Sequence, residues 1–345
     1  MTDKILQKLR AEIPFFVFFI AITIVIAFFY GHTQIAMWIG FSLAALSAIG
    51  NDSIQSLGTF LSSNKKTPWW ILWIFIGGIF ILTVTYGWFS NGGGGVDFHR
   101  LEKIPRPENF TFLQVFAPAV LVLLTRFKIP VSTTFLILSV FATSKTIEAM
   151  LAKTFIGYVV ALVVSISVWW CTAKYCNGFF TKPLSKLAEK KWRIGQWLTT
   201  AFLWITWLMQ DTANIAVFLP RSLSFSQFIP FVLVTFLIIG FIFFFRGGKI
   251  QEIVTEKRDL MEVRAATLID LVFAFILLFF KEISTLPMST TWVFLGLLAG
   301  REIILCHLLD KESQYRKTFC LVGKDIILAS VGLLISVGLA MIGRM

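Results

Sequence analysis

Two aspartates stand in apolar sequence with matching neighbours. Asp52 lies in "GNDSIQS" (50–56) and Asp211 in "MQDTANI" (209–215). An amide precedes each acid, Asn51 or Gln210, and a second amide, Gln55 or Asn214, follows four residues after the first. Residues four apart share a helix face. Carboxylate and amide carbonyl oxygens are hard ligands, suited to an alkali cation. A second pair of motifs accompanies them: "PVSTT" (130–134) and "PMSTT" (287–291). Proline is favoured near helix starts, and Ser or Thr caps them. A helix start presents unpaired N–H donors to an anion. The hydroxyls of Ser132, Thr133 and Thr134, and of Ser289, Thr290 and Thr291, add donors. Two such starts converging from opposite sides could surround a tetrahedral oxyanion.

The elements that must carry these residues belong to a membrane. Of 345 residues, 57% are hydrophobic and 14% charged, against roughly 25% charged in soluble domains. Mean hydropathy is +0.80. Apolar runs recur at Ile13–Tyr30, Gln34–Ile49, Trp69–Phe89, Thr154–Ala173, Gly195–Met209, Phe225–Phe245 and Leu321–Met341. The pattern predicts an all-α polytopic membrane protein. The first run is longer than a signal-peptide core of ~7–15 residues and is expected to be retained. Two regions are interrupted. Phe112–Leu124 and Phe135–Thr143 flank "TRFKIPVSTT", and Leu268–Phe280 and Trp292–Gly300 flank "KEISTLPMSTT". Each piece is expected to be too short to cross ~30 Å alone, so each region is read as a re-entrant helical hairpin with a sheltered tip.

The motifs repeat in register. Asp52 precedes Pro130 by 78 positions (52 to 130) and Asp211 precedes Pro287 by 76 (211 to 287). With the N-terminus in the cytoplasm and both hairpins re-entering, cytoplasmic segments carry 19 Lys and Arg and outer segments 7. That asymmetry fits the positive-inside rule. It also accounts for the net charge of +12 without nucleic acid. The halves then enter from opposite sides, as inverted-topology repeats do. The expected division is an N-terminal transmembrane helix at 1–33, a first repeat at 34–178, a cytoplasmic linker at 179–193 and a second, inverted repeat at 194–345. An ionised acid at mid-membrane costs about 2.5–3.5 kcal/mol on insertion scales. A cation, a proton or a basic side chain must compensate each one. Arg126 and Lys128 are the basic candidates if the acids are only structural. His32, His99 and His307 form no cluster, and the four cysteines lack the spacing of a zinc site, so no cofactor is expected.

The four motifs resemble those of the inorganic phosphate transporter (PiT) family, which carries a "GAND-V-AN-A-x-GT" signature and a "P-[VI]-S-T-T-H" element in each half. Here they read "GNDSIQSLGT", "PVSTTF", "QDTANIA" and "PMSTTW". The resemblance spans roughly residues 34 to 340. It implies cation coupling by Asp52 and Asp211 with Asn51 and Gln210. It also implies substrate binding by the two Ser–Thr–Thr triplets, with Gln55 and Asn214 at the signature amide positions. Phe135 and Trp292 replace the family's histidine, and Gln210 replaces an asparagine. The family includes sulfate permeases, and its coupling ion is sodium or protons.

The expected function is therefore cation-coupled symport of phosphate or a related tetrahedral oxyanion. A proton-coupled sulfate permease is the alternative. A membrane enzyme acting on a lipid phosphate and a channel are further classes, and no acid-rich metal box of the type D-D-x-x-D supports the former. The expected location is a bacterial inner membrane, in contact with lipid, with a homodimer as one option for assembly.

Overall fold

The computed structural model describes residues 2–90, 92–127, 129, 131–176, 183–245, 262–308 and 315–343; within these, the side chains of 2–11, 53–55, 305 and 315–318 are outside the described set. The described residues form twelve helices: α1 (Thr2–Phe29), α2 (Thr33–Ser56), α3 (Gly58–Ser63), α4 (Trp69–Ser90), α5 (Phe112–Arg126), α6 (Thr133–Leu138), α7 (Ser144–Tyr175), α8 (Lys186–Ala216), α9 (Phe225–Phe244), α10 (Val263–Ile283), α11 (Thr290–Leu308) and α12 (Tyr315–Ile342). Seven of them (α1, α2, α4, α7, α9, α10 and α12) are long and apolar enough to cross a membrane. The chain is a multi-pass, all-α integral membrane protein. Only 6% of the apolar window of α1 is buried against protein, whereas 72% of α10 is. α1 therefore faces lipid and α10 belongs to the centre.

The interrupted regions differ from expectation in one respect. α5 has 15 residues and α6 six, so neither spans alone at 1.5 Å per residue. α10 has 21 residues, because the helix begins at Val263 and runs on through Lys281 to Ile283. That arm is long enough to cross, which corrects the expectation of a short piece at Leu268–Phe280. α2 and α8 also outrun their apolar segments. Each continues through its signature acid, to Ser56 and to Ala216. The first two turns of α8 take up Lys186–Arg193, the end of the expected linker.

The helices pack by a rule of exchange. α7 packs most extensively on α11, and α12 on α6; α8 packs on α10, and α2 on α5; α4 meets α8, and α9 meets α2. Swapping α2 with α8, α4 with α9, α5 with α10, α6 with α11 and α7 with α12 turns each of these contacts into another. α4 with α9, and α2 with α8, map onto themselves. The hydroxyl motifs open α6 and α11, and the swap makes these equivalent.

Close backbone approach seats α11. Gly296 and Gly300 form a G-x-x-x-G stripe, and a methyl at either would fall 2.4 Å from the carbonyl of Tyr158 or 2.5 Å from that of Leu162. Small residues at such spacing let membrane helices touch backbone to backbone. The Ser165 hydroxyl donates to the Leu297 carbonyl at 2.6 Å across this seam. Nearer the start of α11, the Ser289 N–H donates to the Thr154 hydroxyl at 3.1 Å. α7 thus fixes where the second Ser–Thr–Thr triplet sits.

Candidate functional site

The sequence-predicted residues meet at the centre of the molecule. Asp52, Asp211, Asn51, Gln210, Asn214 and all six triplet residues are buried. The side chain of Gln55, and Pro130 and Lys128 altogether, lie outside the described residues. The acids lie in the last turns of α2 and α8, where unpaired carbonyls make a helix end electronegative and attractive to a cation.

Each acid is gripped through one oxygen. Asp52 Oδ1 accepts from Asn51 Nδ2 at 2.8 Å and from the Thr133 hydroxyl at 2.9 Å. Asn51 Nδ2 also donates to the Val131 carbonyl and to Thr133 Oγ1, both at 3.0 Å, tying α2 to the first tip. Asp211 Oδ1 accepts from Asn214 Nδ2 at 2.9 Å and from the Thr134 hydroxyl at 3.2 Å. The tips cross over: Thr134, of the first, bonds the acid of the second half, and the Thr291 hydroxyl donates to the Val131 carbonyl at 3.3 Å. The two carboxylates are close enough to act on each other electrostatically.

The remaining oxygens matter most. Asp52 Oδ2, Asp211 Oδ2, Gln210 Oε1 and Asn214 Oδ1 are buried without a hydrogen-bond partner among the described residues. A buried unsatisfied acceptor costs about 1–3 kcal/mol, more if charged. All four are oxygen acceptors, the donor set of an alkali cation. Among the described residues no group of three His, Cys, Asp or Glu could hold a metal ion. Gln210 is oriented by its own amide, which donates to the Leu277 carbonyl at 2.8 Å.

The serines serve the helix starts. Ser132 Oγ accepts from the Phe135 N–H at 3.2 Å, and Ser289 Oγ from the Trp292 N–H at 3.3 Å. A hydroxyl that accepts a capping bond still has its proton to give. Hydroxyls of the threonines reach the acids and backbone carbonyls, so they tie the carboxylates to the two helix starts.

Among solved structures, the chain is similar to a sodium-dependent phosphate transporter, with a TM-score of 0.60 at 14% identity over 90% of this chain and 98% of that one. The two chains share a fold. No protein-family model matches the chain, and no curated protein matches it. The resemblance to the inorganic phosphate transporter family accordingly rests on the four sequence motifs.

Several buried charged residues escaped the sequence reading, among them Asp270, Arg100 and Lys153. Asp270 of α10 is fully buried and accepts from Thr59 at 2.8 Å and Thr200 at 2.6 Å. Its place inside the run "LIDLVFAFILLFF" was the available signal. Arg100 and Lys153 lie outside the apolar runs of the sequence, yet they are 1% and 8% exposed. Arg126, a candidate counter-ion for the acids, instead pairs with Glu12 at 2.5 Å.

Proposed function

We propose that the protein is a cation-coupled secondary transporter of inorganic phosphate. The observation that carries this reading is the pair of buried carboxylates. Each is bonded through one oxygen to a hydroxyl from a Ser–Thr–Thr tip, and each has its second oxygen unpartnered. In this reading a coupling cation, sodium or a proton, engages Asp52 and Asp211 with the free carbonyl oxygens of Gln210 and Asn214. The anion takes hydroxyl protons from Ser132 and Ser289 and N–H groups at the start of α11. The threonines couple the two events, because a cation drawing on a carboxylate changes what its threonine hydroxyl can offer. Acceptor oxygens at the centre favour phosphate over sulfate. Phosphate carries a proton near neutral pH and gains from an acceptor; sulfate has none to give. The similar solved structure is itself titled a sodium-dependent phosphate transporter.

Inverted-topology repeats follow from the same reading. The exchange symmetry of the packing and the order of the motifs support them. The excess of Lys and Arg on one side supports a cytoplasmic N-terminus. Cysteines placed singly at Lys186 and Glu102 in a cysteine-free background test the orientation. An impermeant thiol reagent applied to intact cells should label position 102 and spare 186; the reverse would refute it.

Titration calorimetry on purified protein tests the ligand. Phosphate and sulfate are titrated at pH 6 and pH 8, in sodium and in potassium. Phosphate binding that strengthens in sodium or at the lower pH is expected. Sulfate binding without phosphate binding would move the assignment to sulfate, and binding of neither would remove the oxyanion altogether.

A further inference from the structure

Arg100 lies in the connection between α4 and α5, outside the spanning segments, yet its side chain is among the largest fully buried ones. It reaches inward to the base of the second tip. Nη1 donates to the carbonyl of Ser284 at 2.5 Å and, more weakly, to that of Leu286 at 3.5 Å; Nε points at the Met209 carbonyl at 3.5 Å. Lys153 of α7 converges on the same two carbonyls, at 3.2 Å and 2.5 Å. Thr154, next to Lys153, receives the Ser289 N–H. The two cations thus sit at the connection that leads into the "PMSTT" start of α11, and Met209 is two residues from Asp211.

Cations at the carbonyl end of a helix have an ordinary task, and Ser284 ends α10. That task accounts for Nη1 and for the Lys153 ammonium. It does not account for Nη2, which is buried with no partner among the described residues. Nor does it account for two cations placed close enough to act on each other. Neither forms an ion pair with an acid among the described residues. Asp211 and Glu282 act on Arg100 as compensating charges, Asp211 more strongly, and neither forms an ion pair with it among the described residues. Burial lowers the Arg100 pKa to about 10, which leaves the guanidinium charged at neutral pH. Buried charge without a counter-ion is expensive, and an anion removes the cost.

We propose that Arg100 and Lys153 are anion-binding residues of the central site, with Arg100 Nη2 taking an oxygen of the transported tetrahedral oxyanion. This rests on the oxyanion reading above and adds to it a fixed positive charge beside the second tip. The hydroxyls and N–H groups orient the anion; the guanidinium and ammonium favour a dianion over a monoanion. The same guanidinium opposes a cation at Asp211. Anion arrival offsets Arg100 and makes the cation easier to hold, which is a route for coupling the two.

The opposed signs make the test specific. Inorganic phosphate and, separately, sodium are titrated against full-length wild-type protein and against Arg100→Gln, Arg100→Lys, Lys153→Met and Lys153→Arg. Arg100→Gln and Lys153→Met should weaken phosphate binding by about tenfold to a hundredfold, the scale of a hydrogen bond to a charged group. Lysine at 100 and arginine at 153 should recover part of the loss. Sodium affinity without phosphate should be unchanged or tighter in Arg100→Gln. A lesion that merely loosened the fold would weaken both ligands, and that result would overturn the proposal. Wild-type phosphate affinity in Arg100→Gln, or in Lys153→Met should the arginine variant not fold, would overturn it while leaving the oxyanion reading intact. Wild-type protein that binds no oxyanion would end both.

Discussion

The two halves carry the same chemistry on different supports. In the first, Asp52 lies near the end of α2 and is bonded by the amide before it, Asn51. In the second, Asp211 lies near the end of α8 and is bonded by the amide three residues after it, Asn214. The first tip opens a helix of six residues, the second one of 19. The first hairpin is braced at its edge, where Arg126 of α5 pairs with Glu12 and lies over the Phe15 ring. The second is braced from within, through Asp270 and two threonines. Arg100 acts electrostatically on Asp211. An acid, an amide and a hydroxyl triplet recur because the site needs them twice. The supports diverge because many different contacts can hold a tip in place.

If the acids are equivalent in coupling and unequal in setting, substitution should show both. Asp52→Asn and Asp211→Asn should each reduce cation-driven uptake by at least about a hundredfold, near the upper end of a charged hydrogen bond's ~3 kcal/mol. Asp211→Asn should in addition lower the thermal midpoint more, since it strips Arg100 of its nearby negative charge. Equal midpoints would erase that part of the contrast. Thr133→Val and Thr134→Val remove one hydroxyl from each carboxylate. Each should shift the cation dependence of uptake by about tenfold or more, at roughly 1.5–3 kcal/mol. If Thr133→Val transports with wild-type cation dependence, that hydroxyl is packing.

The braces should matter less for transport and differently for stability. Asp270→Ala leaves the Thr59 and Thr200 hydroxyls unpaired at about 1–3 kcal/mol each, and Asp270→Asn should recover part of this. Thermal unfolding in detergent would read the order. Glu12→Gln breaks the half-exposed pair with Arg126 and should cost less than about 1 kcal/mol. A Glu12→Gln loss as large as that of Asp270→Ala would overturn the contrast between an outer and an inner brace.

What the sequence made legible was set by the solvent. In apolar runs a carboxylate is costly, so Asp52 and Asp211 stand out, and their recurrence with the P-x-S-T-T elements exposes the repeat. Asp270 met the same criterion but lacked a repeated partner. Arg100 and Lys153 were hidden because flanking residues say where a segment lies and not how far a long side chain reaches back. The continuation of α10 through "KEI" was hidden because those polar residues read as a tip. The Gly296–Gly300 seam was present in the sequence, and its meaning depends on which helix faces it.

Coupling of phosphate to a cation is read directly from transport. Purified protein is reconstituted into liposomes, and labelled phosphate uptake is followed under an imposed inward sodium gradient, an imposed proton gradient, both, or neither. The account predicts concentrative uptake under at least one gradient, collapse of that uptake when the gradient is dissipated, and none in Asp52→Asn or Asp211→Asn. Phosphate equilibrating at the same rate with and without gradients, in wild type and in both aspartate variants, would contradict it.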